Sequence, residues 1–192
     1  MSKSNIKLDK KDRIILELLS ENPRIPQEEI AKKIHLSQPS VAMRIKKLRE
    51  RGFIEPIIGV NINKVGLYMA QVRITTANTT KILNTLRDCP FFLNGFIISG
   101  KDNLCLLFVG EDIASLEAIV DGHLRPDEDV HSVNFDIVVS SIKDFIMPIK
   151  IRVEPTDKPP CGIKMQCQNC PSYQGNRCFG CPAMKQYKGL FW

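Results

Sequence analysis

Long apolar runs are missing from this 192-residue sequence. No stretch approaches the roughly 18 apolar residues that a membrane-spanning helix needs, and Met1 to Lys11 is polar, without the apolar region of an export signal. We therefore expect a cytoplasmic protein that makes no membrane contact. Its apolar fraction of 43% and charged fraction of 25% are typical of one or two globular domains and argue against extensive disorder.

Acidic residues are scarce at both ends of the chain. Residues 1–55 carry 13 Lys and Arg against 8 Asp and Glu, residues 56–150 carry 8 against 11, and residues 151–192 carry 6 against 2. A basic N-terminal segment suits a polyanion such as DNA, because phosphate contacts release counterions. A solvated helical face would show the same charges, so charge alone does not decide between the two.

Three helices are predicted in the N-terminal segment. Asp9 is a good N-cap for the first helix, Pro26 fits the first turn of the second, and Ser37 is a good N-cap for the third. The third helix continues to about Arg51, where Gly52 stops it. Its apolar residues recur at spacings of four and three and point inward: Val41, Ile45 and Leu48.

The opposite side of the third helix is polar and basic. This is the helix-turn-helix arrangement, in which the last helix enters the major groove of double-stranded DNA. We predict base-edge contacts for Ser37, Gln38 and Ser40 and phosphate contacts for Lys47 and Arg51. Arg44 lies on the same stripe, and an internal ion pair is its alternative role.

The segment LDKKDRIILELLSENPRIPQEEIAKKIHLSQPSVAMRIKKLRERGFI resembles the winged helix-turn-helix of the Lrp/AsnC (feast/famine) family of prokaryotic transcription regulators. The resemblance continues over about residues 8–147. It implies a DNA-binding regulator, not an enzyme.

The middle of the chain predicts a sheet with two helices. Strands are expected at Ala70–Ile74, 92–99, 104–109 and 130–139, and helices at 79–88 and 113–123. This β-α-β-β-α-β order places two helices on one face of an antiparallel sheet, so the fold class is α+β. The run 104–109 is apolar on both faces, and we expect a second copy to cover the other face in a homodimer.

The resemblance supports this interpretation, because the C-terminal domain of the family is a ferredoxin-like sandwich that forms dimers and often tetramers or octamers. Small effectors, commonly amino acids, bind in that family near the turn after the second strand. The matching positions here are Gly100 and Asp102. A plain hairpin turn explains the same residues, and the neighbouring Lys101 and Asn103 depart from a standard amino-acid pocket.

The last forty residues contain five of the seven cysteines and no histidine. Two Cys-x2-Cys pairs can each turn two thiolates toward one point, as metal centres require. We predict a metal site formed by four of the five cysteines, favouring Cys167, Cys170, Cys178 and Cys181 for their compact spacing, with Cys161 as a possible ligand or an exchange thiol. Prolines at 148, 155, 159 and 160 indicate that the tail is an appendage. We interpret Cys89 and Cys105 as small buried hydrophobic residues.

Two metal groups suit these cysteines. Zinc bound by four cysteines is the common choice in a regulator, whereas cysteine-only ligation also suits a [4Fe-4S] cluster. CQNCPSYQGNRCFGCPAMKQY is similar to the iron-sulfur segments of SPASM-type domains, and we therefore favour the cluster over zinc. Reactive thiols or a reversible disulfide without metal are the third alternative.

The sequence thus predicts four parts. They are a helix-turn-helix domain (1–55), a linker strand and hinge (56–66), a ferredoxin-like dimerisation and effector domain (67–147), and a linker with a cysteine-rich metal-binding tail (148–192). The favoured function is transcription regulation that responds to redox state or metal. A sirohaem-decarboxylase-like enzyme of the same layout is an alternative, although His35, His123 and His131 form no evident catalytic group; a protein-interaction module is another.

Overall fold

A computed structural model describes residues 8–162 and 167–192. The chain divides into two compact units, Met1–Ile57 and Ile58–Trp192. The division falls two residues after the end of the predicted DNA-binding domain. Within the described ranges, no helix combines the length and apolar character needed to cross a membrane.

The first unit contains three helices. These are α1 (Lys10–Glu21), α2 (Gln27–Ile34) and α3 (Gln38–Glu50). The Asp9 carboxylate accepts a hydrogen bond from the Asp12 backbone N–H at 2.8 Å, and the Asp12 carboxylate accepts one from the Asp9 N–H, which forms a capping box at the start of α1. Between α2 and α3, His35 adopts a left-handed conformation with φ of 52°. This conformation ends α2 and contributes to the short turn before α3.

The core of the first unit follows the predicted periodicity. Val41, Ile45 and Leu48 of α3 are buried, as expected, against Ile15 of α1 and Ile30 of α2. Because α3 is held by this apolar stripe, its other side is free to face solvent.

The second unit is built on a four-stranded antiparallel sheet. Its elements are β1 (Val60–Asn61), β2 (Tyr68–Thr76), α4 (Thr79–Leu86), β3 (Phe92–Ile97), β4 (Leu104–Gly110), α5 (Ile113–His123), β5 (Val130–Ile137) and β6 (Ile146–Met147). The sheet order is β3-β4-β2-β5, which is the ferredoxin-like arrangement. The predicted strands of the sheet and its two helices all form, with ends that differ by at most two residues.

One face of the sheet is covered by α4 and α5. Leu104, Leu106 and Phe108 of β4 point into this core, and all three are 1% exposed or less. The register pairs Leu106 with Val72 of β2, which also lies in this core. The alternating residues of β4, including Cys105 and Val109, therefore lie on the second face.

The second face is partly covered by the chain itself, which differs from the expectation that a second copy would cover it all. β1 and β6 pair as a separate antiparallel ribbon, and Val109 is fully buried with Ile62 and Leu67 against residues that include Met147 and Trp192. The linker strand predicted within residues 56–66 is reduced to the two residues of β1. Sequence periodicity could not indicate this cover, because it comes from residues far along the chain.

The described part of the tail packs on the sandwich and does not stand apart. It contains one 3₁₀ turn (Cys167–Asn169) and the short helix α6 (Pro171–Gln174). Phe179 N–H donates to the Ser115 hydroxyl of α5 at 2.9 Å, and the indole N–H of Trp192 donates to the Lys150 carbonyl at 3.0 Å. The tail is thus joined to α5 and to the segment after β6.

Candidate nucleic-acid interface and cysteine-lined cavity

The start of α3 presents the polar residues that were predicted to contact base edges. Ser37, Gln38 and Ser40 are all exposed. The hydroxyl groups of Ser37 and Ser40 are 2.8 Å apart and share a hydrogen bond, while the Gln38 amide donates to the Gln27 side chain at 3.3 Å. These are surface hydrogen bonds that a base or phosphate can replace, because exposed polar groups exchange partners at little net cost.

Arg44 is engaged within the first unit. One guanidinium nitrogen lies 2.6 Å from a carboxylate oxygen of Asp9 and 2.6 Å from one of Asp12. These hydrogen bonds raise the pKa of Arg44, and the pKa of Asp9 is lowered first by the Asp12 N–H and then by Arg44. Arg44 therefore ties α3 to the capping box of α1. Its DNA contact stays a prediction, and it requires this ion pair to open or to be shared.

Lys47 and Arg51 are exposed, and within residues 8–57 neither makes an ion pair. Lys46, by contrast, lies 3.8 Å from Glu50. Lys47 and Arg51 border one surface depression together with Ser40 and Arg44. Because these two cations have no acidic partner here, they can bind DNA phosphates, which would supply the negative charge.

Sequence reasoning missed one residue on this surface. Met43 is 58% exposed and borders the same depression. It is placed four residues after Pro39 and four before Lys47, but a polar helix face is recognised by its polar residues, so this pattern does not single out an apolar one.

The predicted effector turn is fixed by its own side chains. Gly100 has a φ of 131°, which favours glycine. The Asp102 carboxylate accepts a hydrogen bond from the Thr75 hydroxyl at 3.3 Å and lies 3.8 Å from the Arg73 guanidinium. Asn103 bonds to the backbone of Thr76 in both directions, at 3.0 and 2.7 Å. Effector binding at Gly100 and Asp102 remains a prediction.

The five tail cysteines line one cavity of about 80 Å³. They are the four predicted metal ligands and the further thiol: Cys167, Cys170, Cys178, Cys181 and Cys161. Several turns aim them inward; Gly180, for example, has a φ of 87° beside the Cys167 sulfur and the Tyr173 ring. The structure thus brings together all five residues that the sequence assigned to one site.

The sandwich forms the other wall of this cavity. Cys89 and Phe91 from the loop before β3 line it, as do Ile119 and His123 of α5. His123 Nδ1 donates to the Ile119 carbonyl at 2.8 Å, since a carbonyl can only accept, and this leaves Nε2 as an acceptor. Cys89 is buried, as predicted, but its place beside the tail thiols was missed. No sequence signal connects it to residues more than seventy positions away.

Burial raises the pKa of two of the tail thiols, Cys178 and Cys181, which favours their neutral form. Burial raises the pKa of Cys181 to about 11, with Cys161, Cys167 and Cys178 adding repulsion of the thiolate. Burial likewise raises the pKa of Cys89 to about 12. A metal ion reverses this balance, because it binds thiolates and compensates their mutual repulsion.

Within residues 8–162 and 167–192, no three His, Cys, Asp or Glu side chains are arranged to hold a single metal ion. Zinc would need four sulfur atoms at about 2.3 Å from one point. The thiols here surround a space that is several times the volume of one water molecule. Among the described residues, the thiols line one space without three of them converging on one point as a single ion requires.

Comparison with known proteins agrees with the fold. Residues 8–55 match the sequence pattern of a family described as winged helix-turn-helix DNA-binding. The HTH-type transcriptional regulator LrpA of Pyrococcus horikoshii is 30% identical over 142 residues, which are 71% of this chain and 99% of the relative. A sizeable part of this chain therefore has no counterpart in that relative.

Solved structures show the same architecture. E. coli AsnC has a TM-score of 0.65 at 20% identity, with 72% of this chain and 96% of that one covered. B. subtilis LrpC has a TM-score of 0.58 at 27% identity, with 72% and 99% covered.

The helix-turn-helix, the sandwich and these relatives define a DNA-binding transcription regulator, and not the decarboxylase-like enzyme that was the alternative. The chain belongs to the Lrp/AsnC family.

Proposed function

We propose that this regulator binds duplex DNA through α3 and that a metal group held in the cysteine-lined cavity controls how firmly the tail is docked. The observation that supports this proposal is the cavity itself, which has the five tail thiols on one wall and the sandwich on the other. A group bound there would join the two walls.

DNA contact is proposed for the exposed residues of α3. Ser37, Gln38 and Ser40 would meet base edges, since the first turns of a recognition helix lie deepest in the major groove. Lys47 and Arg51 would contact phosphates. Each lost phosphate contact lowers the slope of log K against log salt by about 0.9.

Gel shifts at several salt concentrations test this assignment. Lys47→Ala and Arg51→Ala should each weaken binding and flatten the salt dependence by about one unit. Lys33→Ala is the matched control, because Lys33 lies on α2 and is paired with Glu29 at 3.3 Å. Equal salt slopes for all three variants would contradict the assignment.

A homodimer is proposed through the part of the second sheet face that the chain leaves open. Phe96 of β3 is 47% exposed, and it is paired in register with Cys105. Leu107 and Gln71 form the next row of the same face. A partly apolar sheet surface of this kind is covered most simply by a second copy. Assembly into tetramers or octamers, and an effector site at Gly100 and Asp102, would build on this dimer.

A [4Fe-4S] cluster is proposed as the metal group, held by Cys167, Cys170, Cys178 and Cys181, with Cys161 adjacent. The argument is the cysteine-only donor set on the tail wall, which suits such a cluster. When bound, such a group supplies redox chemistry. The tail residues position the thiolates, and Phe91 and Ile119 limit water at the site.

A chain of contacts within the second unit connects the cavity with the β1–β6 ribbon. Phe91 lines the cavity, and its ring packs edge-on against Trp192 with centroids 5.2 Å apart. The indole N–H of Trp192 is hydrogen-bonded to the carbonyl of Lys150, three residues after β6. β6 in turn pairs with β1. β1 is the first strand of the second unit. Release of the tail would therefore remove packing next to this ribbon.

The single tryptophan makes the proposal testable. Anaerobically purified protein should show metal and sulfide on analysis, with visible absorbance for a cluster and none for zinc. Removal of the metal with a chelator should shift Trp192 emission to longer wavelength and speed hydrogen exchange in residues 178–192. Cys178→Ser should resemble the metal-free protein, whereas Cys105→Ser, outside the cavity, should not. Unchanged emission and exchange would overturn the proposed control by metal.

A further inference from the structure

The exposed methionine of α3 is not explained by packing. Among the large apolar side chains of α1, α2 and α3, only Ile14 at 39% and Met43 at 58% are exposed. Every other large apolar residue of α3 is in the core of the first unit. An apolar side chain in the middle of a DNA-facing helix therefore needs an explanation beyond stability.

Its direction on the helix is informative. Successive residues are turned by about 100°, so Met43 points roughly opposite to the mean direction of Val41, Ile45 and Leu48. Met43 thus lies on the crest of α3. Lys47 and Ser40 lie to one side of the crest, toward the side on which Arg44 is bonded to α1.

Position on the crest determines what a residue can reach. Beyond the first turn, which lies deepest, the crest of a helix in the major groove faces the floor, where base edges are exposed, and its flanks face the phosphate walls. Lys47 and Arg51 on the flank carry the charge that suits phosphate. Met43 carries none, has no hydrogen-bond donor, and lies in the second turn of the helix.

One base feature in the major groove is apolar, namely the 5-methyl group of thymine. We propose that Met43 reads a thymine by packing its thioether side chain against this methyl group, and so acts as a specificity-determining residue. The inference rests on the proposed binding of duplex DNA through α3. It identifies the partner as a site with a thymine under the second turn of α3 in each half-site.

The flexible side chain suits this role. Methionine is unbranched and polarizable, so it adapts to an irregular apolar surface. The flanking cations hold the helix in the groove, and a methyl contact then distinguishes thymine from the other bases without a hydrogen bond. Burial of one methyl group corresponds to about a fourfold change in affinity.

Uracil substitution tests the proposal directly, because deoxyuridine differs from thymidine only by the missing methyl group. A binding site is first obtained by selection of random duplexes on the full-length protein. Each thymine is then replaced singly by uracil, and dissociation constants are measured at one fixed salt concentration. For the unaltered protein, uracil in place of one particular thymine per half-site should weaken binding about fourfold.

The variants complete a double-mutant cycle. Met43→Ala should have the same affinity for the duplex with thymine and the duplex with uracil at that position. Met43→Leu should keep most of the preference for thymine. Ile14→Ala is the matched control, since it removes an exposed apolar side chain from α1. It should keep the full preference for thymine over uracil. Thermal unfolding of each variant shows that the first unit remains folded.

Each result bears on the proposal. If no thymine is sensitive to uracil, or if Met43→Ala keeps the sensitivity, the proposal is overturned while DNA binding through α3 stands. If the protein selects no duplex at all, the proposal is overturned together with the function on which it rests.

Discussion

The hydrogen bond between Ser115 and Phe179 provides a sharp test of how the tail is held. Ser115 lies on α5 and is 2% exposed, and its hydroxyl accepts the backbone N–H of Phe179 at 2.9 Å. Phe179 stands between Cys178 and Cys181. Replacement by alanine removes the acceptor and leaves the N–H without a partner at the boundary between tail and sandwich.

The expected magnitude follows from the lost partner. An unsatisfied buried donor costs about 1–3 kcal/mol. Because the tail is a small segment, this cost falls mainly on its docking equilibrium, and about 1–2 kcal/mol corresponds to a 5–30-fold increase in the undocked fraction. The sandwich core is unaffected, since Leu116 and Ile119 keep their contacts.

Hydrogen exchange with mass spectrometry measures the effect on the tail. In Ser115→Ala, amides of residues 178–192 should exchange about 5–30 times faster, and Trp192 emission should shift to longer wavelength. Ser20→Ala is the control, because the exposed Ser20 hydroxyl donates only to the Glu17 carbonyl of its own helix. Unchanged exchange and emission in Ser115→Ala would refute the reasoning that α5 anchors the cysteine tail.

Other expected outcomes concern the two units separately. Phe96→Asp should weaken dimer formation about tenfold or more, measured by analytical ultracentrifugation, because a charge would be buried in the proposed interface; an unchanged dimer would remove that face from consideration. Gly95→Ala should destabilise the sandwich by about 1–3 kcal/mol in urea unfolding, since the new methyl group would meet Leu83; no loss would mean that Leu83 moves freely. The folded-state pKa of Asp9 lies below its ordinary value of 3.8, chiefly through the Asp12 N–H. Its contribution is therefore present above pH 3.8 and is lost as pH falls through the lower folded value, so the stability difference from Asp9→Ala should shrink in acid.

Local pattern allowed much of the DNA-binding unit to be predicted. The spacing of Val41, Ile45 and Leu48 determines which side of α3 is buried, and it holds in the structure. Helix caps and turn residues act within a few positions, so Asp9 and Gly52 also marked their boundaries correctly. The ion pair of Arg44 joins residues more than thirty positions apart, so local pattern indicated it only as an alternative role.

The sandwich shows the same division. Alternation in β2 and the apolar run in β4 predicted the order of strands and helices, because each strand or helix carries its own periodicity. They did not predict that Val109 is covered by the β1–β6 ribbon with Trp192. A buried sheet face has the same apolar pattern whether a second copy or the end of the same chain covers it.

By itself, the sequence determined the faces of the helices, the strand order and the grouping of the cysteines, since each of these is encoded by residues close together in the chain. Only the tertiary structure decided that the tail packs on α5, that Cys89 and Phe91 complete the wall around its thiols, and that Arg44 is bonded to α1. These contacts join distant segments, and their formation depends on the packing of the whole unit, which no local spacing specifies.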